Sequence, residues 1–136
     1  MTDMQPAATL SLPMLWTIHE LLIETFGGIR GVTEQGFGKL EGALAAPDLS
    51  MFGDDLYPTL PDKAAALFHG LVRAHGFTDG NKRVALVALL VYLAQHGATL
   101  RATDDELYYF TMAAATTAKR DEVAVWITER WEHHAH

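Results

Sequence analysis

His75-Gly76-Phe77-Thr78-Asp79-Gly80-Asn81-Lys82-Arg83 separates two stretches of apolar helical pattern, residues 64–74 before it and 84–94 after it. Two helices joined by a polar, glycine-bearing turn predict a helix–turn–helix, and the chain read outward from it is all-α. Gly76 and Gly80 permit a sharp bend, with Asp79 and Asn81 flanking the second glycine. The bend delivers Asn81, Lys82 and Arg83 to the first turn of the following helix. Free N–H groups and the positive end of the dipole favour an anion there. Two cations at the same point predict a phosphate site, with Gly80 leaving the backbone open to the ligand. Asp79 is placed to share a magnesium ion with such phosphates. His75 brings a side chain that accepts protons near neutral pH. Phe77 reads as an apolar anchor for the turn, and Asn81 as fixing either the turn or the ligand through its amide.

These nine residues resemble the Doc (death-on-curing) branch of the Fic/Doc superfamily. The wider Fic pattern is His-Pro-Phe-x-(Asp/Glu)-Gly-Asn-Gly-Arg-x-x-Arg. Here Gly76 replaces the proline, a position expected to tolerate change. Lys82 replaces the next glycine and Leu86 the second arginine, both as in the Doc branch. The resemblance extends to His19 with Gly27-Gly28-Ile29-Arg30-Gly31-Val32, to Asp55-Leu56-Tyr57-Pro58-Thr59-Leu60, to Lys63-Ala64-Ala65-Ala66 and to Gly97, covering residues 10–130. It implies a compact single-domain helical bundle with a central motif helix and a flap loop.

Composition sets the outer bounds. A chain of 136 residues suits one domain with its own core. A net charge of −7 argues against general nucleic-acid binding, so a basic pocket points to a small phosphorylated ligand. The chain has no cysteine, which removes disulfides and thiolate zinc sites and suits a cytoplasmic home. The longest apolar run, residues 84–94, reads as a buried core helix instead of a membrane span, and residues 1–10 read as a flexible leader without signal-peptide character.

Outward from the turn, Ser11 caps a first helix with Pro13 in its first turn, an apolar face of Leu15, Ile18, Leu22 and Phe26, and a stop at Gly27-Gly28. His19 on that helix reads as a packing histidine. Thr33 is the expected cap of a second helix that Pro47 closes. Residues 48–61 lack helical period; Met51-Phe52 and Leu56-Tyr57 could form a short extended edge. Asp62 is the expected cap of the helix that buries Ala65, Leu67, Phe68, Leu71 and Val72, with His69 and Arg73 toward its other side. The motif helix, apolar on nearly all sides, is expected inside the domain. Thr103 and Glu106 form a capping box for a fifth helix, packed through Leu107, Phe110, Met112 and Ala113-Ala114-Ala115. A last helix, with Val123, Val125, Trp126 and Ile127, ends near Trp131. This gives a domain over residues 11–131 and a flexible histidine-containing tail, 132–136, in which no functional metal is expected.

The resemblance carries further implications. His75 would take the proton from a target hydroxyl, Asp79 would hold Mg2+, and Gly80, Asn81, Lys82 and Arg83 would hold the phosphates of ATP. Phe52, Gly53, Leu56 and Tyr57 would belong to a flap that aligns the target by strand addition. Fic enzymes with glycine at the Lys82 position transfer AMP. The Doc branch implies a kinase that passes the terminal phosphate to a threonine of elongation factor Tu, halting translation. Such a toxin implies a separate Phd-like antitoxin chain. The alternatives are AMP transfer and a non-catalytic module that docks a phosphate or an antitoxin.

Overall fold

The computed structural model describes residues 10–134. Six helices and two small antiparallel ribbons form a mostly helical domain among those residues. The first helix, α1, spans Leu12–Phe26 and opens as its sequence dictates: Ser11 accepts the Met14 N–H at 3.3 Å, Pro13 sits in the first turn, and Gly27 ends it. Its buried face is Leu15, His19 and Ile23, with Ile18 and Leu22 packed beside the core and Phe26 exposed. The expected leader lies outside the described residues except for Leu10, which is buried in the core.

The second helix, α2 (Gly36–Ala45), starts after Gln35, so Thr33 is not its cap. Thr33 is drawn away because its N–H and hydroxyl bond the motif turn. Pro47 then sits in a short 3-10 turn. Next comes a hairpin, β1 (Ser50–Met51) against β2 (Asp54–Asp55), whose two central turn residues, Phe52 and Gly53, both have positive φ (53° and 86°). That is the turn whose twist matches paired strands. The strands therefore bracket Phe52, and Leu56 and Tyr57 follow them instead of forming the expected edge.

Helix α3 (Leu60–Ala74) is capped by Thr59, whose hydroxyl accepts the Asp62 N–H at 3.1 Å. Asp62, the expected cap, lies in the first turn, where its charge suits the dipole. Nine of the fifteen residues of α3 are buried, and it packs on α2 and on the three helices that follow. Helix α4 (Asn81–Gln95) is interior too, against α1 and α3, with Val84, Ala85, Ala88, Leu89, Tyr92 and Leu93 buried and Leu86, Val87, Leu90 and Val91 half-buried.

Strand β3 (Ala98–Leu100) leads to α5 (Asp104–Thr116), which carries the capping box in full: Thr103 accepts the Glu106 N–H and Glu106 accepts the Thr103 N–H. The α5 face is Phe110, Thr111 and Ala114; Thr111 is tolerated because its hydroxyl bonds the Leu107 carbonyl at 2.8 Å. Helix α6 (Arg120–Arg130) buries Val123 and Ile127, and Trp126 stacks on Phe110 with ring centres 3.8 Å apart. The chain does not then run free. Trp131–His133 forms β4, paired with β3, and the His134 N–H bonds the Gly97 carbonyl at 2.7 Å. The first three positions of the expected tail, 132–134, thus lie along β3 and Gly97; residues 135–136 lie outside the described residues.

Candidate active site

The turn between α3 and α4 is tied down from three directions. His75 closes α3 in the left-handed region (φ 49°, ψ 42°), a conformation that costs a non-glycine residue about 1–2 kcal/mol. The segment after α1 supports it. Thr33 donates its N–H to the Gly76 carbonyl (2.9 Å) and its hydroxyl to the His75 carbonyl (3.2 Å). The Thr78 N–H bonds the Gly31 carbonyl (3.0 Å), so Val32 and Phe77 pair as a short antiparallel bridge.

Phe77 is the expected anchor. It is 1% exposed and stacks on His19 with ring centres 3.9 Å apart and Trp16 beyond it. His19, itself 2% exposed, donates Nε2–H to the Asp79 carbonyl at 2.9 Å. It is the packing histidine the sequence suggested, and its packing partner is the motif. Asn81 resolves its two readings in favour of the turn. Its amide oxygen accepts the Phe77 N–H (3.0 Å) and its amide nitrogen donates to the Phe77 carbonyl (2.8 Å).

Gly76 is the one motif position whose expected tolerance fails. A Cβ placed there would lie 2.5 Å from Leu40 Cγ and 2.7 Å from Leu40 Cδ2, inside a packed core. The proline of the related pattern has no room beside this leucine.

The site surfaces at the start of α4. Hydroxyl side chains cap α1, α3 and α5, but α4 begins at Gly80 (φ 79°) with no side-chain cap. The Val84 N–H takes the Gly80 carbonyl, which leaves the first N–H groups of α4 pointing outward without helical acceptors. Lys82 and Arg83 are exposed and form no ion pair among the described residues. The Arg83 guanidinium rests 4.7 Å from the centre of the Phe26 ring. Asp79 accepts the Gly80 N–H (2.8 Å) on one carboxylate oxygen and the Ile29 N–H (3.1 Å) on the other. Each oxygen keeps a further lone pair.

Two adjoining clefts open from these residues. One, of about 360 Å3, lies between Asp79–Arg83 and the α5 side chains Tyr108, Thr111 and Met112. The other, of about 230 Å3, shares Asp79, Gly80, Asn81 and Lys82 with it and adds His75, Thr78 and Thr116. His75, Asp79, Gly80, Asn81 and Lys82 are therefore brought together, with Arg83 at the rim of the larger cleft. The α5 wall went unread in the sequence because nothing local marks which face of α5 meets α4. Among the described residues no group of three or more His, Asp or Glu gathers as a metal cage. Asp79 alone suits a cation that arrives with a phosphate ligand and keeps most of its water.

Phe52, Gly53, Leu56 and Tyr57 line neither of these two clefts; they precede α3, whereas His75 follows it. The segment that borders the motif is Gly31–Thr33. A larger apolar cleft of about 460 Å3, between α5 and α6, offers Tyr109, Phe110 and Trp126 and none of the motif residues.

Residues 9–93 match the sequence model described as Fic/DOC family. Toxin Doc of Mycolicibacterium smegmatis (strain ATCC 700084 / mc(2)155) is 44% identical over 80 residues, which is 59% of this chain and 60% of that protein. Protein kinase doc of Escherichia phage P1 is 28% identical over 107 residues, 75% of this chain and 78% of that protein. The chain thus spans about three-fifths of the length of the first of these relatives. A match over more than half its length, which takes in the turn that organises its site, makes the chain a member of the Fic/DOC family.

Proposed function

We propose that the chain is a toxin of a toxin–antitoxin pair that acts as an ATP-dependent protein kinase, moving the γ-phosphate to a hydroxyl of a protein target. The observation that carries this reading is the junction of the two clefts. An uncapped helix start with Lys82 and Arg83, neither of them in an ion pair among the described residues, faces one, and His75 lines the other. His75 takes the proton of the target hydroxyl, whose oxygen bonds the γ-phosphorus as the bond to the β-phosphate oxygen breaks and ADP leaves. Lys82, Arg83 and the α4 N–H groups hold the phosphates throughout, Arg83 with the forked geometry that suits two oxygens. Asp79 would hold Mg2+, which when bound neutralises phosphate charge. Lys82 in place of glycine, and Leu86 in place of a second arginine, favour γ-phosphate transfer over AMP transfer.

The similarity to proteins named Toxin Doc and Protein kinase doc supports both the toxin and the kinase parts of the reading. By resemblance the target is a threonine of elongation factor Tu in the cytoplasm, and the restraint is a separate Phd-like antitoxin. No helix among the described residues is long and apolar enough to cross a membrane. The test is purified elongation factor Tu with labelled ATP. Transfer of γ-label supports the kinase, transfer of α-label replaces it with AMP transfer, and neither leaves a binding module. His75→Ala abolishes transfer and keeps ATP binding. Arg83→Ala weakens ATP binding by about 1.5–3 kcal/mol.

A further inference from the structure

The His75 cleft does not end at the motif. Through Thr116 it adjoins a third cleft, of about 470 Å3, between α3 and the α5–α6 turn, lined by His69, Arg73, Thr117, Lys119 and Arg120. Five of the chain's ten lysines and arginines line these three clefts, against two of its seventeen acidic residues. In a protein of net charge −7 the rest of the chain is correspondingly more acidic. The cationic run is therefore a feature of this side of α3 and not of the composition.

Its charges are held in different ways. Arg73 is fixed by donating to the Ala114 carbonyl (2.7 Å) and the Ala118 carbonyl (3.0 Å). The Lys119 ammonium forms no ion pair among the described residues, while its backbone N–H donates to the Glu122 carboxylate (2.8 Å), and Arg120 meets only the solvent-facing Asp121, at 3.4 Å, and the Tyr57 ring. His69 bonds the Ala118 carbonyl, and burial holds its pKa below the usual imidazole value, so it adds shape more than charge.

We infer that the third cleft is a subsite for an acidic side chain of the polypeptide that carries the accepted hydroxyl. The inference rests on the phosphotransfer reading. Phosphates at the start of α4 occupy the first cleft, so the hydroxyl reaches His75 in the second. The polypeptide flanking it then leaves past Thr116, over Arg73, Lys119 and Arg120. From His75 back to His69 is about 9 Å along the helix, or three residues of extended chain at about 3.3 Å each. An acidic residue three positions from the hydroxyl meets the cations, while the acidic remainder of the surface repels it from other registers. Beyond Arg120 a further hollow carries Leu56 and Tyr57 with the carboxylates Asp62 and Asp121, so the cationic stretch ends there.

The test uses short fluorescein-labelled peptides with one threonine, carrying either glutamate or lysine at the third position on both sides. Binding to the full chain is read by anisotropy. The glutamate peptide binds at least about ten-fold tighter, as one charged hydrogen bond would give. Lys119→Glu with Arg120→Glu removes that preference and leaves ATP binding unchanged. Both positions are exposed at the start of α6, where acidic residues suit the dipole, and the urea midpoint confirms the fold. Equal binding of the two peptides overturns the inference, as does a preference that survives the double substitution or a labelled oligonucleotide that outcompetes the glutamate peptide. Transfer of γ-label to the peptides is followed separately. Absence of γ-label transfer to elongation factor Tu sinks the kinase, whereas loss of the glutamate preference sinks the subsite alone.

Discussion

Gly76→Ala tests whether the motif turn is locked against α2 as tightly as its geometry implies. The new methyl would sit 2.5–3.1 Å from Leu40 Cγ, Cδ2 and Cδ1, and Leu40 is a core residue only 1% exposed. Overpacking of this kind costs about 1–3 kcal/mol. No positive φ is imposed at Gly76, so alanine also stiffens the unfolded chain and returns about 0.4–1 kcal/mol. The net expectation is a loss of about 1–2 kcal/mol, or roughly 3–8 °C in Tm for a domain of this size.

Leu40→Ala removes all three colliding atoms. By itself it costs about 2–5 kcal/mol as a buried leucine truncation. In that background, however, Gly76→Ala should reverse sign and stabilise by about 0.4–1 kcal/mol. Urea unfolding of the four proteins, with unchanged m-values, gives the coupling directly, expected at about 1–3 kcal/mol. Additivity within about 0.5 kcal/mol would refute the reasoning, because it would mean Leu40 is not what excludes a side chain at residue 76.

Other substitutions probe the remaining supports. His19→Phe keeps a ring against Phe77 but orphans the Asp79 carbonyl, and calorimetry should show a loss of about 1–3 kcal/mol; no loss would show the bond to be incidental. Burial, with Asp48 adding to it, pushes the Tyr92 phenol up to about 12, so one of the four tyrosines should ionise late when absorbance is followed at 295 nm, and Tyr92→Phe should remove that late fraction. The sign follows from the unfolded chain losing this proton first: Tyr92 lowers stability as pH rises past the ordinary value of 10, until the folded group ionises near 12. Phe52 is 97% exposed with φ 53°. Phe52→Asn should therefore leave the urea midpoint unchanged or raise it by up to about 1 kcal/mol of stability, and a clear fall would show that the ring has a folding role.

Most features caused within a few residues were written plainly in the sequence, the Thr59 cap of α3 being an exception. The Ser11 cap, Pro13 in the first turn of α1, the Thr103–Glu106 box and the bend at Gly80 each depend on groups no more than four positions apart. The same holds for Asn81, whose amide staples Phe77 across four residues, and for the placing of His75, Asp79, Lys82 and Arg83 on one short turn. The tertiary structure decided whatever needed distant partners. It took Thr33 from helix capping to bind Gly76, 43 positions on, and set His19 under Asp79, sixty positions on. It paired residues 131–133 with β3, made Leu40 the reason for glycine at 76, and put α5 across the start of α4. A local hydrogen bond competes only with its neighbours, so its signal survives in the order of residues. Which distant surfaces meet depends on how all six helices share one core, and no single stretch of the sequence carries that.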